Sequence, residues 1–156
     1  MNNLLTSPEL TQIKRRGASV NAHLILKQGG KVLLLLRKNT NYYDGMWGFA
    51  AGHVEDGEPA THGMIREAHE EIGIEILPNQ LRVLHIMHRK TDRFNIDIFF
   101  DCLSWKGSIQ NCETEKCEKL DFFSPNVLPS NTIDYHAAAL QAIAQGRFYT
   151  ELGWSS

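Results

Sequence analysis

The sequence carries no excess of positive charge: 16 Lys and Arg stand against 18 Asp and Glu, a formal charge of −2. Without a net positive field nothing holds a polyanion by counterion release, which argues against an extended nucleic-acid surface or binding to a membrane surface. Long hydrophobic runs are missing too. The longest purely apolar stretch, Val32 to Leu36, falls far short of the roughly 20 residues a membrane helix needs. The first residues, MNNLLTSPEL, have neither a basic n-region nor an apolar h-region. A soluble, unexported protein in the cytoplasm is the expectation. Cysteine is scarce and odd in number, with Cys102, Cys112 and Cys117 forming no CxxC pair. That pattern fits free thiols in a reducing compartment better than a disulfide framework or a zinc site. What remains, 42% hydrophobic and 22% charged over 156 residues, fits one globular domain over residues 1–156.

Two apolar stretches, Val20 to Leu26 and Val32 to Leu36, flank Gln28-Gly29-Gly30-Lys31, which predicts a hairpin of strands buried on both faces. From Arg37 to Gly57 the chain reads as irregular, rich in Gly, Asn and Asp and in the rings of Tyr42, Tyr43, Trp47 and Phe49. A long loop with that many rings points to a ligand wall. A helix is predicted from Pro59, placed as its first residue, to Ile72, with Gly73 as the left-handed cap beyond it. At 100° per residue, Met64, Ile65, Ala68 and Ile72 share its apolar arc. Strands follow at Leu81 to His88 and Phe94 to Leu103, joined at Thr91-Asp92-Arg93, then a short one at Leu120 to Phe123 and a helix from Asp134 to Gln145 closed by Gly146. Phe148-Tyr149 and Leu152-Gly153-Trp154 read as apolar anchors for the tail. Strands interleaved with helices argue for a sheet covered by helices on its faces, an α/β or α+β sandwich.

The chemistry concentrates on the first helix. In Arg66-Glu67-Ala68-His69-Glu70-Glu71 the projection puts Glu67, Glu70 and Glu71 on one arc and turns Arg66 away from it. Like charges at this spacing cost an isolated helix roughly 0.2–0.5 kcal/mol per pair, so the face calls for a cation or full solvation. A solvated acidic face is the plain alternative. Hard oxygen ligands with no His or Cys on the arc suit Mg2+, with Mn2+ as a substitute, over Zn2+. Magnesium takes the rest of its shell from water and substrate phosphates, which predicts a phosphate-bearing substrate.

Gly52 precedes this helix, followed by Glu58, Arg66-Glu67, Glu70-Glu71 and Gly73-Ile74. That spacing is the Nudix box, GX5EX7REUXEEXGU, over residues 52–74, with Ala68 and Ile74 at its aliphatic places. The chain resembles a Nudix hydrolase of the MutT-like kind. The resemblance implies an α/β/α sandwich with a mixed sheet and a central loop-helix-loop, and hydrolysis of a nucleoside diphosphate linked to another group X. A nucleoside triphosphate giving the monophosphate and pyrophosphate is the favoured substrate. A nucleotide sugar, a dinucleotide, capped RNA, or a non-catalytic nucleotide sensor on the same fold are the alternatives. By the same resemblance Glu70 and Glu71 are metal ligands, Glu67 is a further ligand or the base that orients water, and a backbone carbonyl of Ala51 or Gly52 completes the shell. Arg66 and Glu58 support the loop on the helix, and Gly73 ends it. One departure is Ala50-Ala51 before the box glycine, where many relatives carry Pro.

Outside the box, Arg37 stands where similar proteins place a basic residue against phosphates. Tyr42, Tyr43, Asp44 and Trp47 are candidates to stack on and hydrogen-bond a base. Glu113, ahead of Glu115, is the candidate for an additional carboxylate. His53 reads as a surface residue or a support to the ligands, and His23, His85, His88 and His136 form no metal-binding spacing. The expected partner is the nucleotide alone; a homodimer is left open and not indicated.

Overall fold

A computed structural model describes residues 16–155. Among the described residues nine strands build two sheets, and the way the chain passes between them positions the site. β1 (Ala18–Ile25) pairs antiparallel with β5 (Ala50–His53) and parallel with β7 (Phe94–Cys102). Beyond β7 come β6 (Leu81–Lys90), antiparallel, and β9 (Tyr149–Leu152), parallel, giving the mixed order β5-β1-β7-β6-β9. The second sheet is built on β3 (Lys31–Arg37), which pairs with β2 (Lys27–Gln28), β4 (Trp47–Gly48) and β8 (Cys117–Phe123), all antiparallel.

The expected hairpin turn is present, with Gly29 and Gly30 both at positive φ, as the tight two-residue connection requires. Its strands differ from the expectation. The turn joins β2 to β3, while β1 belongs to the other sheet, and Leu26 is the crossing point, its carbonyl accepting from Leu33 N–H at 2.9 Å. Alternation explains why these runs are apolar on both faces. Leu24, Leu26, Leu33 and Leu35 enter one core, with Met64, Ala68 and Ile72 of helix α1 (Ala60–Ile72). Ile25, Val32 and Leu34 enter another, with Ala139 and Leu140 of helix α2 (Asp134–Ala144). The result is an α/β fold of mixed sheet and helices.

α1 begins one residue later than its sequence predicts. Pro59 has extended geometry (φ −71°, ψ 156°) and stands before the helix, with its carbonyl accepting from Gly63 N–H at 3.0 Å. Gly73 ends it at φ 73°, its N–H returning to the His69 carbonyl at 3.1 Å. The stretch read as irregular from Arg37 to Gly57 conceals β4 and β5. β8 begins at Cys117, three residues ahead of the predicted Leu120. The tail is pinned by strand pairing more than by burial: β9 joins β6, and Trp154 Nε1–H donates to the His88 carbonyl at 3.0 Å, while Phe148, Tyr149 and Trp154 keep much of their surface exposed. No helix among the described residues is long and apolar enough to cross a membrane.

Candidate active site

α1 lies against β5 and β1, so its acidic arc faces the strand that carries Ala51 and Gly52. Gly52 is required there. A Cβ on it would lie 2.1 Å from Cδ and Oε1 of Glu67, far inside van der Waals contact. Glu71 reaches the neighbouring residue, its Oε2 accepting from Ala51 N–H at 3.1 Å. Burial drives the Glu71 pKa well above the ordinary carboxylate range, and the nearby charges of Glu67 and Glu113 push the same way. Glu67 is raised too, first by burial and then by Glu70 and Glu113, with Arg66 pulling in the opposite direction. Glu70 is the outer member, its side chain 49% exposed.

Arg66 does not turn away from the acidic arc. Its Nε and Nη2 bond Glu58 at 3.2 and 2.7 Å, and Nη2 also donates to the His53 carbonyl at 3.1 Å. Its Nη1 donates to Glu67 Oε1 at 2.9 Å and meets Glu70 Oε2 at 3.5 Å. The projection places Cβ, but a long guanidinium stem can curl back toward negative charge. Arg66 therefore links the box loop to the helix and balances part of the carboxylate charge. Glu58 answers it: Arg66 and the Glu55 N–H hold its pKa down to about 2.

A cleft of about 770 Å3 opens over these groups, with Glu67, Glu70, Glu71 and Glu113 in its wall. Glu113 is carried there by a loop tied to the end of α1, where Cys112 N–H donates to the Glu71 carbonyl at 3.0 Å. Glu115 does not line the cleft. Among the described residues no three His, Cys, Asp or Glu side chains are gathered into one coordination cluster; Arg66 holds Glu67 and Glu70, and the Ala51 amide holds Glu71. The donor set nonetheless fits a hard divalent cation. Five carboxylates line the cleft, Glu55 with the four above; burial first and neighbouring carboxylates second raise the pKa of Glu67 and Glu71, and oxygen is the only donor type they offer.

Arg37 and Lys116 bring positive charge to the same cleft. The Arg37 guanidinium is steered by the Tyr42 carbonyl at 2.8 Å and Thr40 Oγ1 at 3.2 Å. The loop after it is tightly wound, with Asn39, Asn41 and Tyr43 all at positive φ (54°, 59° and 53°), a conformation costly for a bulky residue. This winding separates the four predicted base-binding residues. Tyr42 lines the cleft, whereas Tyr43, Asp44 and Trp47 do not. Asp44 closes the loop on itself, accepting from Thr40 N–H, Thr40 Oγ1 and Asn41 N–H. Tyr43 packs its ring on Tyr42 and Tyr135. Trp47 is a core residue, 7% exposed and set edge-on against Phe123.

Sequence reasoning missed a buried polar part of the same cleft. Asn21, His23, Arg89, Asn95, Tyr135 and His136 line it and are almost fully buried. The available signal was the polar residue at every second place of β1 and β7, Asn21 and His23, Asn95 and Asp97, which reads equally well as a solvent face.

The NUDIX domain family model matches residues 15–145. The chain belongs to the Nudix family. Nudix hydrolases use divalent metal ions and act on nucleoside triphosphates and other diphosphate derivatives, and the acidic cleft is where this one carries the family's box. It is 30% identical over 91 residues to an 8-oxo-dGTP diphosphatase of Proteus vulgaris, spanning 58% of this chain and 80% of that protein. It is 41% identical over 51 residues to a CTP pyrophosphohydrolase of Escherichia coli, a stretch covering 33% of this chain and only 38% of the relative. In fold, this Nudix chain is similar to a MutT NUDIX hydrolase from Burkholderia pseudomallei, with a TM-score of 0.73 at 22% identity over 81% of this chain and 98% of that one.

Proposed function

We propose that this Nudix hydrolase is a magnesium-dependent pyrophosphohydrolase of nucleoside triphosphates, releasing the monophosphate and pyrophosphate. The observation that carries the reading is one cleft lined by carboxylates, by the cations of Arg37 and Lys116, and by aromatic and hydrogen-bonding side chains. Those are the parts a metal, a phosphate chain and a base require in turn. The names of the Proteus and E. coli relatives support the same substrate class.

In this reading Glu67, Glu70 and Glu71, with a backbone carbonyl of Ala51 or Gly52, hold Mg2+, or Mn2+ in its place. A divalent ion bound there would neutralise the phosphate charge and make water more acidic. The chain supplies the rest. Arg66, anchored by Glu58, holds Glu67 and Glu70 in position and balances part of their charge. Arg37 and Lys116 grip the phosphates, Arg37 with its planar fork already oriented. Glu67, half-buried against Gly52 with a raised pKa, is suited to accept a proton from the attacking water. Glu113 closes the wall as an additional carboxylate. One domain over residues 1–156, working in the cytoplasm on a nucleotide, completes the reading.

The test is release of phosphate and pyrophosphate from a panel of nucleoside triphosphates, nucleotide sugars and dinucleotides, with Mg2+ or Mn2+ and with chelator. Chelator-sensitive pyrophosphate release from triphosphates is expected. Turnover confined to nucleotide sugars or dinucleotides would replace the substrate, and silence across the panel despite metal binding would leave a nucleotide sensor.

A further inference from the structure

Of the phenyl and phenol rings lining the cleft, Phe49 and Tyr135 are 3% and 6% exposed while Tyr42 is 45% exposed, so Tyr42 is the ring an entering ligand can reach. It is braced by Tyr43, edge to face at 4.5 Å, and Tyr43 leans in turn on Tyr135. The Arg37 guanidinium carbon lies 5.7 Å from the Tyr42 ring centroid, within cation–π range. An accessible aromatic surface and a cation therefore sit side by side in the cleft that carries the carboxylates. A base offers a π-face to such a ring, and a phosphate offers acceptors to such a fork.

One side chain holds both in place. Hydrogen bonds from Thr40 first, with the Arg37 charge a smaller contribution, keep the Asp44 carboxyl below its ordinary range, so it is ionised at neutral pH. An ionised carboxylate only accepts, and the Thr40 hydroxyl therefore donates to Asp44 Oδ1, at 2.6 Å. Its lone pairs are then left to accept from Arg37 Nη2 and from Tyr42 N–H, both at 3.2 Å. The Tyr42 carbonyl takes Arg37 Nε at 2.8 Å, and Asp44 also accepts from the N–H groups of Thr40 and Asn41, each at 3.0 Å. These bonds hold Asn39, Asn41 and Tyr43 at positive φ, where residues with a side chain seldom rest. Such strain persists only where surrounding structure over-determines it, and it gathers at ligand clamps.

We propose that residues 37–44 form a nucleotide clamp, in which Tyr42 stacks on the base, Arg37 takes the phosphate chain, and Asp44, acting through Thr40, is the positioning residue that keeps the two aligned. This deepens the nucleotide reading above and rests on it. Asp44 itself stands outside the cleft lining, whereas Thr40 is part of it, so the carboxylate acts on the ligand without touching it. A ring accepts the face of any base; the clamp selects a nucleotide over a bare phosphate chain, not one base over another.

The test compares, across variants, KM for the best nucleoside triphosphate of the panel and the inhibition constant of inorganic tripolyphosphate against it. Tyr42→Ala is expected to raise KM by about tenfold or more, the loss of one base stack, with the tripolyphosphate constant within about twofold of wild type; Tyr42→Phe should restore KM. Asp44→Ala and Thr40→Val are expected to raise both constants by roughly fivefold or more, mainly without loss of kcat, because ring and guanidinium are released together. Thr40→Ser keeps the hydroxyl and should restore both. Combining Tyr42→Ala with Asp44→Ala should raise KM by much less than the product of the single effects. As a readout free of turnover, the indole introduced by Tyr42→Trp should be quenched by the product nucleoside monophosphate and not by ribose 5-phosphate. An unchanged KM in Tyr42→Ala overturns the clamp, and so does a lower melting temperature in Asp44→Ala and Thr40→Val with both constants as in wild type. If those two variants fail to fold, the Tyr42 series and the indole quenching decide alone. Nucleotide turnover with wild-type KM in every variant refutes only the clamp, whereas quenching by the monophosphate with no turnover of any nucleotide refutes the proposed function and leaves the clamp standing.

Discussion

Replacing Gly52 by Ala tests the box at its tightest point. The added Cβ would lie 2.1 Å from Glu67 Cδ and Oε1 and 2.7 Å from Cγ, more than 1 Å inside ordinary contact by roughly a 3.5 Å carbon separation. The backbone at Gly52 does not need positive φ, so the change acts through this collision alone. Glu67 must swing away from β5, giving up its 2.9 Å bond with Arg66. Overpacking of this kind costs about 1–3 kcal/mol, equivalent to a Tm lower by roughly 2–12 °C for a domain of this size. Activity suffers far more, because a displaced proton acceptor or metal ligand forfeits about 10²–10⁴ in rate. The assay is kcat for pyrophosphate release beside a melting curve, with Gly17→Ala as control, since nothing lies within 4 Å of a Cβ there. A folded Gly52→Ala protein with wild-type kcat would refute the argument.

Three further outcomes follow from the same geometry. Burial raises the Glu71 pKa in the folded protein, so the metal-free protein loses stability as pH rises through that value; Glu71→Gln should melt higher than wild type at pH 8 without metal, converge with it toward pH 4, and be inactive, and a lower melting point at pH 8 would contradict this. Glu58 is depressed to about 2 from an ordinary 4.5, so its contribution is present above 4.5 and lost as pH falls through about 2. Glu58→Gln should therefore show a shallower acid-side decline in Tm than wild type, and parallel curves would remove the Arg66 pair from the stability account. Trp47→Ala should cost about 3–5 kcal/mol while leaving KM within about threefold; a large KM rise at unchanged Tm would return Trp47 to the substrate.

The helix of the box was legible because three independent local signals agree, Pro59 before it, Gly73 after it and an apolar arc between. The acidic arc was legible as direction but not as contact, since helical projection follows Cβ while Arg66 decides where its guanidinium goes. Strands of two and four residues, β4 and β5, carry too little periodicity to register against the Gly-rich sequence around them. Asp44 and Trp47 looked like ligand residues because composition assigns them to a loop, and only the folded loop shows one spent on Thr40 and Asn41 and the other on Phe123. The buried polar part of the cleft was hidden for a different reason: a buried Asp97 is tolerable only because Arg89, eight residues back in sequence, and Asn21 and His23 on the next strand converge on it.

The most direct test of the central claim is Mn2+ binding, followed by titration of wild type and of a Glu67→Gln, Glu70→Gln, Glu71→Gln triple variant, each confirmed as folded. Saturable binding by the wild type, competed by Mg2+ and lost in the triple variant together with turnover, is the result predicted. Equal binding by both proteins would mean that the cation sits elsewhere and that the acidic arc is a solvated face.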